Sequence, residues 1–169
     1  MSVEASFIEL IALLPKYVRQ SFLPVATPEQ IANATNVLSS KLPDVQLPSS
    51  IVALYKTCGG QPRQTAFEDH LFPGFRLISI ETAIKEYKER CNLWDVYLAD
   101  EVDTEFPNKW FDYRLFPFGW ANGTVYCVDV LAGKIYYHYC DGGIATTEHE
   151  SVLDLIEASI TYHQKEFSR

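Results

Sequence analysis

The sequence predicts a single α+β domain in which helices flank a mostly antiparallel sheet, with an extra helical segment at the N-terminus. Helical periodicity of apolar residues recurs through the first half of the chain and again at its end. Between residues 114 and 140 the pattern changes to short alternating segments, which the turns ANG and LAGK separate. The chain of 169 residues is 47% hydrophobic, which suits one compact core.

The N-terminal residues 1–26 predict a helical extension that packs on the main domain, which we assign to residues 27–169. An apolar stripe runs through residues 4–23, and Pro15 is expected to kink this helix or to divide it in two. The stripe consists of Phe7, Ile8, Ile11, Leu14, Tyr17 or Val18, and Phe22.

A second helix is expected to begin at the segment TPEQ. Thr27 is a favourable N-cap, Pro28 suits the first turn, and Gln30 completes a capping box. The apolar residues that follow recur at helical spacing, and Pro43 is expected to stop the helix near Leu42.

A third helix is predicted within the segment LPSSIVALYKTCGGQ, residues 47–61. Its inward face is expected to hold Ile51, Leu54, Tyr55 and Cys58. We expect Gly59 or Gly60 to end the helix in the left-handed conformation, which glycine adopts without a Cβ clash.

A loop over residues 61–74 and the short strand FRLI precede a fourth helix, IETAIKEYKER, which Ser79 is expected to cap. The residues predicted to face inward are Ile80, Ala83, Ile84 and Tyr87. Three charge pairs at i,i+4 spacing are predicted on the opposite, solvated face: Glu81–Lys85, Lys85–Glu89 and Glu86–Arg90.

An antiparallel meander is predicted next. The segments RLFPFGW and TVYCVDV flank the dipeptide Asn122-Gly123, which is a strong hairpin signal. KIYYHYC follows the next turn, and a short strand is expected near residues 145–148. Ser151 is expected to cap a closing helix, whose inward residues are Val152, Leu155, Ile156, Ser159, Ile160 and His163.

The charge of the chain bears on its partners. Acidic residues number 22 and basic residues 14, which gives a net charge of −8. Because an acidic domain repels phosphate backbones, we expect a basic protein partner and no direct nucleic-acid binding. The alternative is that the charge only keeps the protein in solution. Glu4 and Glu9 interrupt the N-terminal apolar run, which does not fit a signal peptide, and no other run reaches membrane-spanning length. We therefore predict a cytoplasmic protein without membrane contact.

The residues that carry chemistry do not form a known motif. The four cysteines, Cys58, Cys91, Cys127 and Cys140, include no CxxC pair, so we predict buried, reduced thiols and no zinc or redox site. The four histidines lack metal-ligand spacing and are expected to lie on the surface or partly buried. A nucleophile pair of Cys140 with His149 remains an alternative. Since the P-loop, GxGxxG and GxSxG motifs are absent, no enzyme, metal or cofactor is predicted.

The leading candidate for a partner-binding surface is an acidic run flanked by aromatic residues. It consists of Trp94, Asp95, Asp100, Glu101, Asp103, Glu105 and Trp110. The alternative is that the tryptophans belong to the core and that the carboxylates only solvate a loop. A second candidate edge holds Asp141, Glu148 and Glu150.

Four segments in order resemble the SMI1/KNR4 (SUKH) family: LPSSIVALYKTCGGQ, FRLISIETAIKEYKE, WFDYRLFPFGWANGTVYCVDVLAGKIYYH and SVLDLIEASITYH. The family's signatures are an LP-led helix ending in Gly-Gly, a strand ending in Leu-x-Ser, a Pro-Phe strand, a hairpin aspartate (here Asp129) and a closing helix. The resemblance covers residues 28–166. The segment before Thr27 and the acidic segment 94–110 depart from it, and the compact chain looks like the bacterial branch.

The resemblance implies a non-enzymatic immunity protein that binds and neutralises a bacterial polymorphic or contact-dependent toxin. Nuclease toxins are often basic, so the acidic charge fits such a partner. It also implies that Gly-Gly is a structural helix stop and that the residues after it line a variable face. The alternatives are a regulatory or scaffolding adaptor of the same fold and a hydrolase that uses Cys140 or His149. The oligomeric state is left open.

Overall fold

The structure, a computed structural model, describes residues 2–99, 111–139, 143–147 and 149–166. The helices are α1 (Val3–Leu13), α2 (Lys16–Gln20), α3 (Pro28–Ser39), α4 (Ser49–Thr57), α5 (Ile80–Ala99) and α6 (Val152–Glu166), with a 3-10 turn at Phe67–Asp69. The strands are β1 (Arg76–Leu77), β2 (Leu115–Ala121), β3 (Thr124–Asp129), β4 (Ile135–Tyr139) and β5 (Gly143–Thr146).

The five strands form one antiparallel sheet in the order β1-β2-β3-β4-β5, so each strand pairs with its neighbours in sequence. Asn122 and Gly123 join β2 to β3, with φ angles of 44° and 85°. Two positive φ angles are typical of a type I′ turn, whose twist matches that of the flanking strands. The predicted α+β fold with an antiparallel meander is confirmed.

Hydrogen bonds at three helix starts confirm the predicted caps. The Thr27 hydroxyl accepts from the Gln30 amide at 3.2 Å, and the Gln30 side chain accepts from the Thr27 amide at 2.7 Å. Ser79 Oγ accepts from the Thr82 amide at 3.2 Å, and Ser151 Oγ accepts from the Asp154 amide at 3.1 Å. The helix ends were harder to predict, because α3 stops earlier than Leu42 and α5 continues to Ala99.

Pro15 divides the N-terminal helix into α1 and α2, as predicted. The buried stripe, however, is Phe7, Leu10, Leu14 and Val18. Ile8 is 53% exposed, so its assignment to the stripe is wrong. Of the two alternatives Tyr17 and Val18, the buried residue is Val18, since Tyr17 is 63% exposed. The reason is tertiary, because α1 packs against both α4 and α6, and that contact selects the face holding Phe7 and Leu10.

Arg90 departs from the prediction of a solvated charge pair. Its side chain lies in the interior, where Nη1 pairs with the Glu86 carboxylate and Nε donates to His138 Nδ1 at 2.9 Å. Since α5 packs against β2, this part of the helix faces the sheet, and a buried guanidinium requires such partners. Of the other predicted pairs, Lys85–Glu89 forms at 3.8 Å, and Glu81 instead accepts from Gln30.

The two glycines after α4 do not end the helix in the way predicted. The C-cap residue is Cys58, with an extended backbone at φ −145°. A Cβ on Gly59 would lie 1.7 Å from the Pro24 carbonyl oxygen, so the chain passes Pro24 too closely for any side chain. Gly60 has φ +114°, and its carbonyl accepts from the Leu23 amide at 2.9 Å. The pair therefore serves a close crossing of two chain segments.

We predict that Gly59→Ala lowers the free energy of unfolding by about 3 kcal/mol, because the new methyl group overlaps backbone atoms that cannot move aside independently. Urea denaturation followed by circular dichroism measures the loss. The matched control is Gly133→Ala, where φ is +78° and the Cβ would meet no atom within 4 Å. The control should lose only about 1 kcal/mol, from backbone strain. Equal losses of unfolding free energy in the two variants would show that the close approach of Gly59 to Pro24 is not the reason why glycine is needed there.

Candidate functional site

Asp95 is the described carboxylate of the predicted acidic patch. It lies in the C-terminal half of α5, where it pairs with Lys41 Nζ at 2.6 Å and accepts a hydrogen bond from the Tyr113 hydroxyl. The hydrogen bond from Lys41, followed by that from Tyr113, holds the pKa of Asp95 below its ordinary value. Asp95 is therefore ionised at neutral pH, with the Lys41 ammonium as its counter-ion.

Trp94 lies in the hydrophobic core and is only 3% exposed. Of the two interpretations that the sequence left open for this residue, its burial matches the core. Consecutive residues of a helix point to different sides, so Trp94 faces inward while Asp95 faces solvent. Asp100, Glu101, Asp103, Glu105 and Trp110 lie outside the described residues.

Leu93 and Val96 are exposed apolar residues that the sequence analysis did not single out. Their exposed fractions are 51% and 62%, and Val96 lies between Leu93 and Asp95 around the helix, since successive residues are about 100° apart. Residues three apart share one side of a helix. Large apolar side chains beside a charged group are typical of protein-binding sites. The sequence did carry a signal for this exposure. Extending the helical spacing of the predicted inward residues from Tyr87 to Cys91 and Trp94 leaves Leu93 and Val96 outside the buried face of α5. We call Leu93, Asp95 and Val96 the α5 surface.

A groove of 390 Å³ lies between α3 and α5, next to this surface. Lys41 lines the groove and also holds Asp95. The same ammonium lies 5.3 Å from the centroid of the Tyr113 ring. Lys41 thus joins the end of α3, α5 and the segment before β2 around the Asp95 carboxylate.

Glu150 is the described member of the second predicted edge. Its carboxylate pairs with Lys134 Nζ at 2.7 Å, at the turn before β4. The buried Thr147 hydroxyl donates to the Ile135 carbonyl at 2.8 Å, which fastens this segment to β4. Asp95 and Glu150 therefore form ion pairs with two different lysines, Lys41 and Lys134, which lie in separate segments of the chain. Asp141 and Glu148 lie outside the described residues.

The three described cysteines are free thiols in buried positions. Burial raises the pKa of Cys58 and of Cys91 to about 11, and that of Cys127 to about 12. At neutral pH each is a neutral thiol, which is a poor nucleophile. Cys140, the nucleophile of the alternative hydrolase, lies outside the described residues.

Two histidines lie in the interior. His138 is fully buried, so the expectation that it lies on the surface or partly buried is wrong. His163 is 3% exposed, which agrees with its predicted inward position on the closing helix. The Nδ1 of His138 accepts from Arg90, and Nε2 of His163 lies 3.1 Å from the Leu71 carbonyl. Both rings therefore take part in internal packing. Within the described residues, no group of three or more His, Cys, Asp or Glu side chains could hold a metal ion.

Asp129, the aspartate expected in the hairpin, shapes the turn between β3 and β4. Its Oδ1 accepts from the amides of Leu131 at 2.9 Å and Ala132 at 3.0 Å, and its Oδ2 lies 3.7 Å from Arg114 Nη1. The residue is 2% exposed. Its role here is to close a turn, since a buried carboxylate with these partners is already satisfied.

Comparison with known families agrees with this architecture and these signature residues. The model of the SMI1/KNR4 family (SUKH-1) matches residues 25–161, well over half of the chain. The chain belongs to the SMI1/KNR4 family. Helices α1 and α2 precede the matched residues of this SMI1/KNR4 protein, so the division at residue 26 stays a prediction. A comparison with curated proteins finds no match. None of the helices in the described ranges is long and apolar enough to cross a membrane.

We predict that the buried thiols react slowly in the native protein. In a Cys140→Ala variant, an aromatic disulfide reagent at pH 8 should label Cys58, Cys91 and Cys127 at least about a hundredfold more slowly than in the unfolded chain, because a rise of about two units in pKa removes about 99% of the thiolate. The same variant in denaturant is the control. Rapid labelling of two thiols without denaturant, or an intramolecular disulfide, would contradict the burial.

Proposed function

We propose that this SMI1/KNR4 protein is a non-enzymatic immunity protein, which binds a basic bacterial toxin domain in the cytoplasm and blocks it. Membership of the family supports this role, because immunity to toxins is the function that the sequence resemblance implies. The net charge of −8 favours association with a positively charged partner.

The observation that carries the proposal is the α5 surface. Two exposed apolar side chains, Leu93 and Val96, and an ionised carboxylate, Asp95, lie near the C-terminal end of α5, and the densest acidic run of the chain follows this helix in sequence. Apolar anchors slow dissociation, whereas surrounding charges raise the association rate. The α5 surface and the acidic segment that follows it together offer both kinds of contact.

The first experiment measures charge steering. The protein is co-expressed with the toxin domain encoded beside its gene, and growth, co-purification and the kinetics of binding are recorded. Neutralising Asp100, Glu101 and Asp103 together as Asn, Gln and Asn should slow association about tenfold and weaken its dependence on salt. The free energy of unfolding is measured alongside, and it should stay unchanged if the three carboxylates make no internal contacts, since surface charges contribute little to it.

The control removes three negative charges elsewhere, in the variant E9Q/E29Q/E157Q. All three residues are exposed, on α1, α3 and α6. If both triple variants slow association equally, the effect is one of net charge and does not identify a surface. If neither changes association or protection of growth, the acidic segment is wrong as the binding surface, and the edge holding Asp141, Glu148 and Glu150 becomes the leading candidate.

A second variant tests the apolar anchors. Because Leu93 and Val96 are exposed, replacing both with serine should leave the melting temperature nearly unchanged. If they are anchors, the affinity should fall by about 2 kcal/mol, or about thirtyfold, mostly through faster dissociation. Unchanged affinity with an intact fold would exclude them from the interface. Binding to an endogenous protein that is not a toxin would instead favour the alternative function, that of a regulatory or scaffolding adaptor of the same fold.

A further inference from the structure

A cleft of 720 Å³ lies between the N-terminal half of α5, β1 and the β2–β3 turn. Neither its position nor its charge is evident from sequence patterns, because its residues come from four separate segments. We call it the cationic cleft and define it by the residues that determine its chemistry: Arg63, Phe67, Arg76, Lys85, Glu86 and Trp120.

The cleft is positive although the chain as a whole is strongly negative. Its one described carboxylate, that of Glu86, is paired with the buried Arg90. Neither Arg63 nor Arg76 forms an ion pair within the part of the chain that the structure describes. Lys85 makes only a loose, exposed contact with Glu89, at 3.8 Å. Two guanidinium groups and an ammonium group therefore remain to bind an anion.

The two arginines lie in an arrangement that favours a bound anion. Arg76 is half-buried, and its Nη1 donates to the Gln61 carbonyl at 3.3 Å. Burial, and then the charge of Arg63, lower the pKa of Arg76, the Glu86 carboxylate offsets part of this lowering, and the guanidinium stays protonated. Like charges brought together at a partly dry site repel one another, and an anion between them removes that cost.

The backbone around the cleft is held by Gln61, which directly follows the glycine pair. Gln61 is 1% exposed, and its Oε1 accepts from the Leu71 amide at 2.7 Å while its Nε2 donates to the Asp69 carbonyl at 2.8 Å. Its own amide donates to the Leu77 carbonyl at 2.8 Å. The loop that carries Arg63 and Phe67 is thus fastened to the sheet at a buried residue, so the cleft is formed before a partner arrives.

The aromatic lining indicates what kind of anion the cleft fits. Trp120 lies directly opposite Arg76 across the β1–β2 pair, and Phe67 is 60% exposed at the rim. Arginine forks match the two oxygens of a carboxylate, and the rings offer contact area to apolar side chains beside it. A nucleic acid would bring many phosphates close to a chain of net charge −8, which is unfavourable. A protein segment with few carboxylates avoids most of that repulsion.

We propose that the cationic cleft binds a carboxylate-bearing segment of a partner protein, with Arg63 and Arg76 on the carboxylate and with Trp120 and Phe67 against the neighbouring apolar side chains. This goes beyond the proposed function, because it assigns a second binding site of opposite charge that does not require the partner to be a toxin.

The test uses the full chain and a peptide probe, acetyl-Phe-Glu-Glu-Phe-amide, with acetyl-Phe-Gln-Gln-Phe-amide as its neutral match. Binding is measured by calorimetry and by the shift of the Trp120 indole N–H signal. The Glu peptide should bind at least about tenfold more tightly than the Gln peptide, because charge-assisted hydrogen bonds are lost in the latter. Equal affinities, or no binding of the Glu peptide, would overturn the proposal.

Variants then locate the site. Arg63→Gln removes an exposed cation without disturbing the core, and it should lower the affinity for the Glu peptide about tenfold. The control K16Q/R19Q removes two exposed cations of α2 and should leave that affinity unchanged. Arg76→Lys keeps the charge but loses the fork and should also weaken binding. Unchanged affinity in Arg63→Gln would overturn the proposal. The proposal would also be overturned if inorganic phosphate or a thymidine oligonucleotide bound as tightly as the Glu peptide and shifted the same indole signal.

Discussion

At Gly59 the backbone passes so close to Pro24 that no side chain fits between the two segments. Much of the architecture depends on this crossing. The segment before α3 is hydrogen-bonded to the end of α4, from the Leu23 amide to Gly60 and from the Ala26 amide to Tyr55, at 2.9 Å each. One residue further on, Gln61 bonds to β1 and to the loop beyond it. The three consecutive residues Gly59, Gly60 and Gln61 thereby connect the helical layer, the sheet and the wall of the cationic cleft.

Helix α5 connects the two candidate binding surfaces. Its N-terminal half lines the cationic cleft through Lys85 and Glu86, and its C-terminal half carries Asp95. With a rise of about 1.5 Å per residue, Lys85 and Asp95 are about 15 Å apart along the helix axis. This exceeds the screening length of about 8 Å at physiological salt. The charges of the cationic cleft therefore interact only weakly through solvent with the Asp95–Lys41 pair.

The buried Arg90 fixes how α5 sits on the sheet. Its guanidinium joins Glu86 on its own helix to His138 on β4, so that the helix is tied to a particular strand by directional bonds. Apolar packing alone tolerates some sliding, whereas a buried charge leaves its partners unsatisfied if the register changes. The same contact neutralises Glu86, which is what leaves the neighbouring cleft positive. The Arg90–Glu86 pair therefore contributes both to the packing of α5 on the sheet and to the positive charge of the cationic cleft.

Local chemistry determined much of this protein from the sequence by itself. The capping box at Thr27, the helix break at Pro15 and the hairpin at Asn122-Gly123 depend on residues close together in the chain, and each forms as predicted. Such local signals also predicted the meander, and the resemblance of four ordered segments predicted the SMI1/KNR4 family.

Only the tertiary structure decided the features that depend on distant residues. The burial of Arg90 and the place of Leu10, and not Ile8, in the core depend on which element packs against each helix. The role of Gly59 depends on a segment 35 positions earlier in the chain, at Pro24. The cationic cleft likewise collects its arginines from a loop and from β1, whose separation in sequence conceals their proximity. Periodicity reports only what one segment prefers, and the contacts between segments select among those preferences.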